Sequence, residues 1–226
     1  MLSHFLRAVP KGPTSINLVY RGYAGNNAVT GATATYTYSA AAIGDASAYR
    51  VVLVALAYSN GHVPSAVTIG GVSATGVTYV SGSIGTSIWY ASVPSGTTAD
   101  IVFTKQASGS NNFNFTWYTL TSNYSTPYDT ASSAEGTGTR SVTIDSYGGG
   151  AMIYVVSTRS DSTINTATWT GTSTFTEDAN LVFSGSSRYG ATGSSSIGAS
   201  DTVTNGTLTV GGLADTAQLI AVSWRP

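Results

Sequence analysis

Histidine, the side chain best suited to moving protons near neutral pH, occurs twice in the 226 residues, as His4 and His62. Neither belongs to a catalytic pattern, since the chain has no HExxH, GxSxG or Walker-type loop. Both read as ordinary surface residues, one in the N-terminal segment and one in the turn Ser59–Pro64. Glycoside hydrolysis needs two facing carboxylates, and the only glutamates are Glu135 and Glu177. Glu177-Asp178, followed by Asn180, is the one acidic cluster. Its oxygens could hold calcium on a loop, but the EF-hand spacing is missing and a solvated turn is the expected reading. Asp100, Asp145, Asp161 and Asp215 stand beside strand ends or turns, where carboxylates bond local backbone amides. Gly70-Gly71 and Gly148-Gly149-Gly150 lack the following helix and lysine that cradle a phosphate, and read as turns. Tyr and Trp rings could stack on sugars, but Trp89 and Trp117 lie in strand patterns and are more simply core. Trp169 lies in a loop-flanked stretch. The residues thus assign no catalytic, cofactor or metal site, and the chain is expected not to be an enzyme.

Composition narrows the partners. Charged residues are 8% of the chain and the net charge is −1, against about 25% charged residues in an average soluble domain. The nine basic residues are scattered singly, so no basic patch that would displace counterions from nucleic acid can be drawn from the sequence. There is no cysteine, which removes disulfides and thiolate chemistry and fits assembly in a bacterial cytoplasm. No apolar run approaches the ~18 residues of a membrane span, and Met1–Val9 is too short and lacks the basic region of a signal peptide. Neither nucleic acid nor membrane is an expected partner. The sequons at Asn114, Asn123 and Asn205 carry no weight in so Ser/Thr-rich a chain.

The elements that must position any site are strands. Thr33–Ser39 and Asn112–Leu120 alternate with the period-2 pattern of half-buried strands, the latter putting Phe113, Phe115 and Trp117 on one face. Val51–Tyr58 and Ala151–Val156 are apolar on both sides and read as central strands. Further strands are expected at Ser65–Ile69, Val77–Val80, Ser87–Val93, Asp100–Thr104, Ser141–Ile144, Ala167–Trp169 and Gln218–Trp224. The order of strand types recurs. An alternating strand, an apolar strand, a turn-rich stretch and a closing aromatic strand appear in 14–121 and again in 122–226. The expected fold is all-β, an antiparallel β-sandwich of jelly-roll or Ig-like type, internally duplicated. One sandwich in which the halves share a core is preferred to two tandem sandwiches, because no flexible linker separates them. Residues 1–13 form a separate segment. Leu2, Phe5, Leu6 and Val9 would make one apolar stripe on a short helix ahead of the Pro10–Pro13 break, and so become candidate partner-binding residues.

The strings AVTIGGVSAT (66–75), SIWYASVPSGTTADIVFT (87–104), TATWTG (166–171) and TEDAN (176–180) resemble a pattern in structural proteins of tailed bacteriophages. The opening MLSHFLRAV with its Pro/Gly break is similar to the start of such proteins. The resemblance implies a virion component, carries no active-site residues, and does not separate head from tail. The expected role is a capsid decoration, cement or head-spike protein on the virion surface. It would attach to other virion proteins through the N-terminal segment and self-associate, with no cofactor. The alternative is a tail-fibre module that recognises host surface glycans, and a polysaccharide-degrading enzyme is the third class.

Overall fold

Every regular element among the described residues is a β-strand. The computed structural model describes residues 12–29, 35–59, 64–81, 84–104, 111–159, 166–182, 189–211 and 216–226. The first nine strands are β1 (Val19–Val29), β2 (Thr35–Ala42), β3 (Arg50–Ser59), β4 (Ala66–Ile69), β5 (Val72–Ser73), β6 (Thr75–Ser81), β7 (Ile84–Ser92), β8 (Thr98–Thr104) and β9 (Asn111–Thr121). The next eight are β10 (Asp129–Thr137), β11 (Arg140–Ser146), β12 (Ala151–Thr158), β13 (Thr166–Trp169), β14 (Thr176–Val182), β15 (Tyr189–Ser196), β16 (Val203–Gly211) and β17 (Thr216–Trp224).

The first nine form a five-stranded sheet, β1-β9-β3-β7-β6, and a four-stranded sheet, β2-β8-β4-β5. The pairs β1·β9, β2·β8, β3·β7 and β4·β5 are nested, as in a long hairpin rolled up on itself. That nesting is jelly-roll topology, with β6 added at the edge of the larger sheet. The remaining strands repeat the plan as β10-β17-β12-β15-β14 and β11-β16-β13, strand for strand except that β5 has no counterpart among the described residues. The apolar strands β3 and β12 occupy the same central position in the two larger sheets.

The sheets stack in four layers. One core fills the space between the two sheets of the first set, with Val54, Leu56, Ile101 and Phe115 at its centre. A matching core in the second set holds Tyr154, Val156, Leu208 and Leu219. A third core lies between the two five-stranded sheets, where Leu53, Ala55, Tyr118 and Leu120 meet Ile153, Val155, Ile220 and Trp224. The preference for one sandwich over two tandem ones is thereby corrected, while the expectation that the halves share a core is met. Each set of strands closes its own sandwich, and the two share an additional core. A sheet in a two-layer sandwich buries one face only. Strands apolar on both faces, as β3 and β12 are, require a layer on each side.

Several strands fall where no strand was expected, namely β5, β10, β14, β15 and β16. Their Gly, Ser, Thr and Asn content masks alternation. In β15 the small residues are a packing requirement, because a side chain at Gly193 would enter the Tyr154 ring opposite it. Leu2, Phe5, Leu6 and Val9 lie outside the described residues, as do His4, His62, Asp161 and Asp215.

Candidate functional site

Arg50 precedes the fully apolar run of β3, so its charge enters the protein with the strand. The residue is 3% exposed. Its guanidinium donates to six carbonyls: Val93 from Nε at 2.7 Å, Ile43, Gly44 and Asp45 from Nη1, and Ser95 and Gly96 from Nη2 at 2.6 and 2.9 Å. These bonds tie the β2–β3 loop to the β7–β8 loop. They satisfy its donors but bring no negative charge. Burial, with the nearby Arg21 charge, lowers the Arg50 pKa, and Asp45 works against that shift.

Arg21 stands beside it at a bulge in β1, where the register with β9 slips between Tyr20 and Gly22. Bulges re-aim side chains. Here Arg21 Nε donates to Thr119 Oγ1 at 2.7 Å, and its terminal nitrogens lie over Gly44. That glycine has φ 73° and no room for a side chain. The described ion pair, Arg159 with Glu135 at 3.0 Å, involves neither arginine. Together they line a pocket of about 190 Å³ with Asn17, Val19, Asp45, Ala46, Ser47, Thr119, Leu120 and Thr121. Two guanidinium charges, one carboxylate and several hydroxyls suit it to binding; it holds no nucleophile–base pair.

The acidic cluster is not a solvated turn. Glu177 and Asp178 lie in β14, at a bulge between Glu177 and Ala179 in the pairing with β15. The bulge sends Asp178 toward the first set of strands, where it accepts a hydrogen bond from the Tyr118 hydroxyl at 3.0 Å. Burial raises the Asp178 carboxyl pKa, and bonds from Ser194 and Tyr118 offset part of the rise. Burial raises Glu177 as well. Burial and the adjacent Asp178 charge push Tyr118 well above its ordinary value, so it stays a donor. Among the described residues no group of three or more His, Cys, Asp or Glu is placed to hold a metal ion.

Asp100, Asp129, Asp145 and Asp201 bond backbone amides across the fold, and Asp129 also accepts locally from Thr130 N. Asp100 accepts from Ala40 N at 2.9 Å and Asp145 from Asn205 N at 2.6 Å. Asp129 accepts from Asp145 N, and Asp201 from both Thr172 N and Ser173 N. Ala40 and Asn205 both have positive φ, 54° and 53°, and these contacts hold their amides. Trp89 and Trp117 are core residues, with Trp117 Nε1 donating to the Ala42 carbonyl at 3.0 Å. Trp169 is half-buried on β13, packed over Gly206. Sequence reasoning passed over an exposed aromatic group made of Tyr124, Tyr128 and Tyr147. The Arg225 guanidinium lies 3.8 Å above the Tyr124 ring, and Tyr128 meets Tyr147 edge-on at 5.8 Å.

No family model matches the chain, and no curated protein matches it. Among solved structures it is similar to "Crystal structure of Cucumber Necrosis Virus", with 7% identity and a TM-score of 0.30 over 98% of this chain and 96% of that one. Similarity at this level supports no conclusion about fold or function.

Proposed function

We propose that the chain is a structural component of a virus particle, an accessory protein on the surface of a tailed-phage capsid, and that it is not an enzyme. The observation that carries this reading is the four-layer stack. Both five-stranded sheets spend their second face on each other, which makes one stiff block. The outermost layers turn hydroxyls to solvent, through Thr35, Thr37 and Ser39 on β2, Ser141 and Thr143 on β11, and Thr207 on β16. A neutral hydroxyl surface resists non-specific adhesion without charge repulsion between closely packed copies. The sequence resemblance to phage structural proteins points the same way, as do carboxylates committed to backbone amides. Edge strands β1, β6, β10 and β14 offer unpaired backbone groups through which copies can associate, and residues 1–13 remain the proposed attachment segment. Quantitative mass spectrometry of purified particles tests this. A capsid accessory is present in copies comparable to the major capsid protein, and absence from the particle overturns the reading.

The exposed Tyr124, Tyr128 and Tyr147 favour a second reading, a tail-fibre module for host glycans, because tyrosine rings stack on sugar faces. A handful of copies per particle, with retained glycan binding by the purified chain, would select it over the first.

A further inference from the structure

The repeated plan supplies an internal reference for the arginine pocket. Val51 and Ala151 take matching partners, Leu120 and Trp224, at the starts of β3 and β12. The residue before each is Arg50 in the first set and Gly150 in the second. Likewise β1 bulges at Arg21, whereas β10 pairs with β17 without interruption from Asp129 to Ser133. The second sandwich closes with neither arginine and without that bulge. The topology does not require them, and local departures from a shared plan concentrate at functional sites.

The geometry points to this pocket as a binding site for the carboxylate of an acidic saccharide, wherever on a particle the protein sits. Arg50 contributes positive charge but no free bond, because its donors are taken by carbonyls. Arg21 spends Nε on Thr119, which leaves its terminal nitrogens as the fork a ligand can reach. One guanidinium edge matches one planar carboxylate in a bidentate pair. With Asp45 on the rim, two positive charges and one negative leave a single net positive charge, which a monoanion balances. A dianion such as sulfate would need more donors than one fork supplies and would face Asp45. The remaining polar lining, Asn17, Ser47, Thr119 and Thr121, is neutral and suited to hydroxyls. At about 190 Å³ the space is below the ≈ 300–1,000 Å³ of drug-sized sites, so it takes one sugar-sized group.

Titration calorimetry on the full chain, with glucuronate, glucose, acetate and sulfate at matched ionic strength, tests the proposal. Glucuronate is expected to bind saturably and more tightly than the other three. Arg21→Gln is expected to weaken glucuronate at least ~10-fold, the scale of a lost charge-assisted pair, with the melting temperature as the folding control. Asp45→Asn, on the exposed rim, is expected to tighten glucuronate, which gives a second variant of opposite sign. Absence of glucuronate binding, or equal binding by the Arg21→Gln variant, overturns the site. Acetate or sulfate binding as tightly as glucuronate overturns the saccharide assignment and leaves a bare anion site.

Discussion

Single residues carry charge into this fold in three ways, each with its own consequence. Arg50 is buried and bonded only to carbonyls, so removing it strands several acceptors at once. Arg50→Met is expected to cost about 3 kcal/mol or more, read from denaturant midpoints, because each buried unsatisfied group costs roughly 1–3 kcal/mol. Asp178 is a carboxylate whose folded pKa lies above its unfolded value because of burial. Its ionised form is therefore the disfavoured one in the native state. The contribution is complete below the unfolded pKa of about 4 and declines as pH rises through the higher folded value. An asparagine there still accepts from Tyr118 and carries no charge. Asp178→Asn should melt above the parent at pH 7, with the difference closing as pH falls toward ~4. Asp201 behaves oppositely. Burial raises its pKa, but bonds from Ser173 and Thr172, backbone and side chain, outweigh that and hold it low. Its stabilisation is present at neutral pH and lost on acidification. Asp201→Asn should melt below the parent at pH 7, with a gap that narrows toward pH ~3. Thermal melts of both variants across this range check the two signs.

At the scale of elements, bulky rings and bare backbone are paired across neighbouring strands. Tyr58 on β3 sits opposite Gly85 on β7, and Tyr154 on β12 sits opposite Gly193 on β15. In both places a side chain on the glycine would run into the ring. Tyr58 is buried and its hydroxyl donates to the Thr86 carbonyl at 3.3 Å, so the ring is not free to yield. Gly85→Ala is expected to destabilise by about 1–3 kcal/mol through overpacking. An exposed change on the same sheet, Thr78→Ala, should stay within about 0.5 kcal/mol. Equal effects would show that the ring can move aside. The two bulges described above belong to this scale as well, since each turns a charged residue away from ordinary alternation.

For the whole molecule, the third core makes the two sandwiches interdependent. Leu53 and Ile153 are both fully buried within it, on facing sheets. Ile153→Ala is expected to cost about 2–5 kcal/mol. The two sandwiches should still unfold in one calorimetric transition, with van't Hoff and calorimetric enthalpies in agreement. Two resolved transitions would mean that the shared core contributes little to the cohesion of the chain. A chain restricted to 122–226 would bare Ile153, Val155, Ile220, Val222 and Trp224 to water, and is expected to aggregate or bind hydrophobic dyes.

Sequence by itself determined the fold class, the two central strands and the recurrence of strand types, because period-2 alternation and unbroken apolar runs are local signals. VVLVALAY and AMIYVV even stated that each central strand needs cover on both faces, although not what supplies it. Tertiary structure alone decided that the cover is the other sandwich, since which faces meet depends on residues about a hundred positions apart. The Ser- and Gly-rich β15 was illegible for a similar reason: its small residues answer to Tyr154 and other neighbours brought in from distant strands. Arg21 and Arg50 looked like scattered basic residues, although a charge directly ahead of a fully apolar strand was a signal that it must be satisfied inside. Glu177-Asp178 read as a turn because adjacent carboxylates usually stay in water. Only the bulge, and a Tyr118 hydroxyl arriving from the other sandwich, draw Asp178 inward. Local pattern sets how a segment is built, whereas its partner across a sheet or a seam is fixed by contacts that no local window contains.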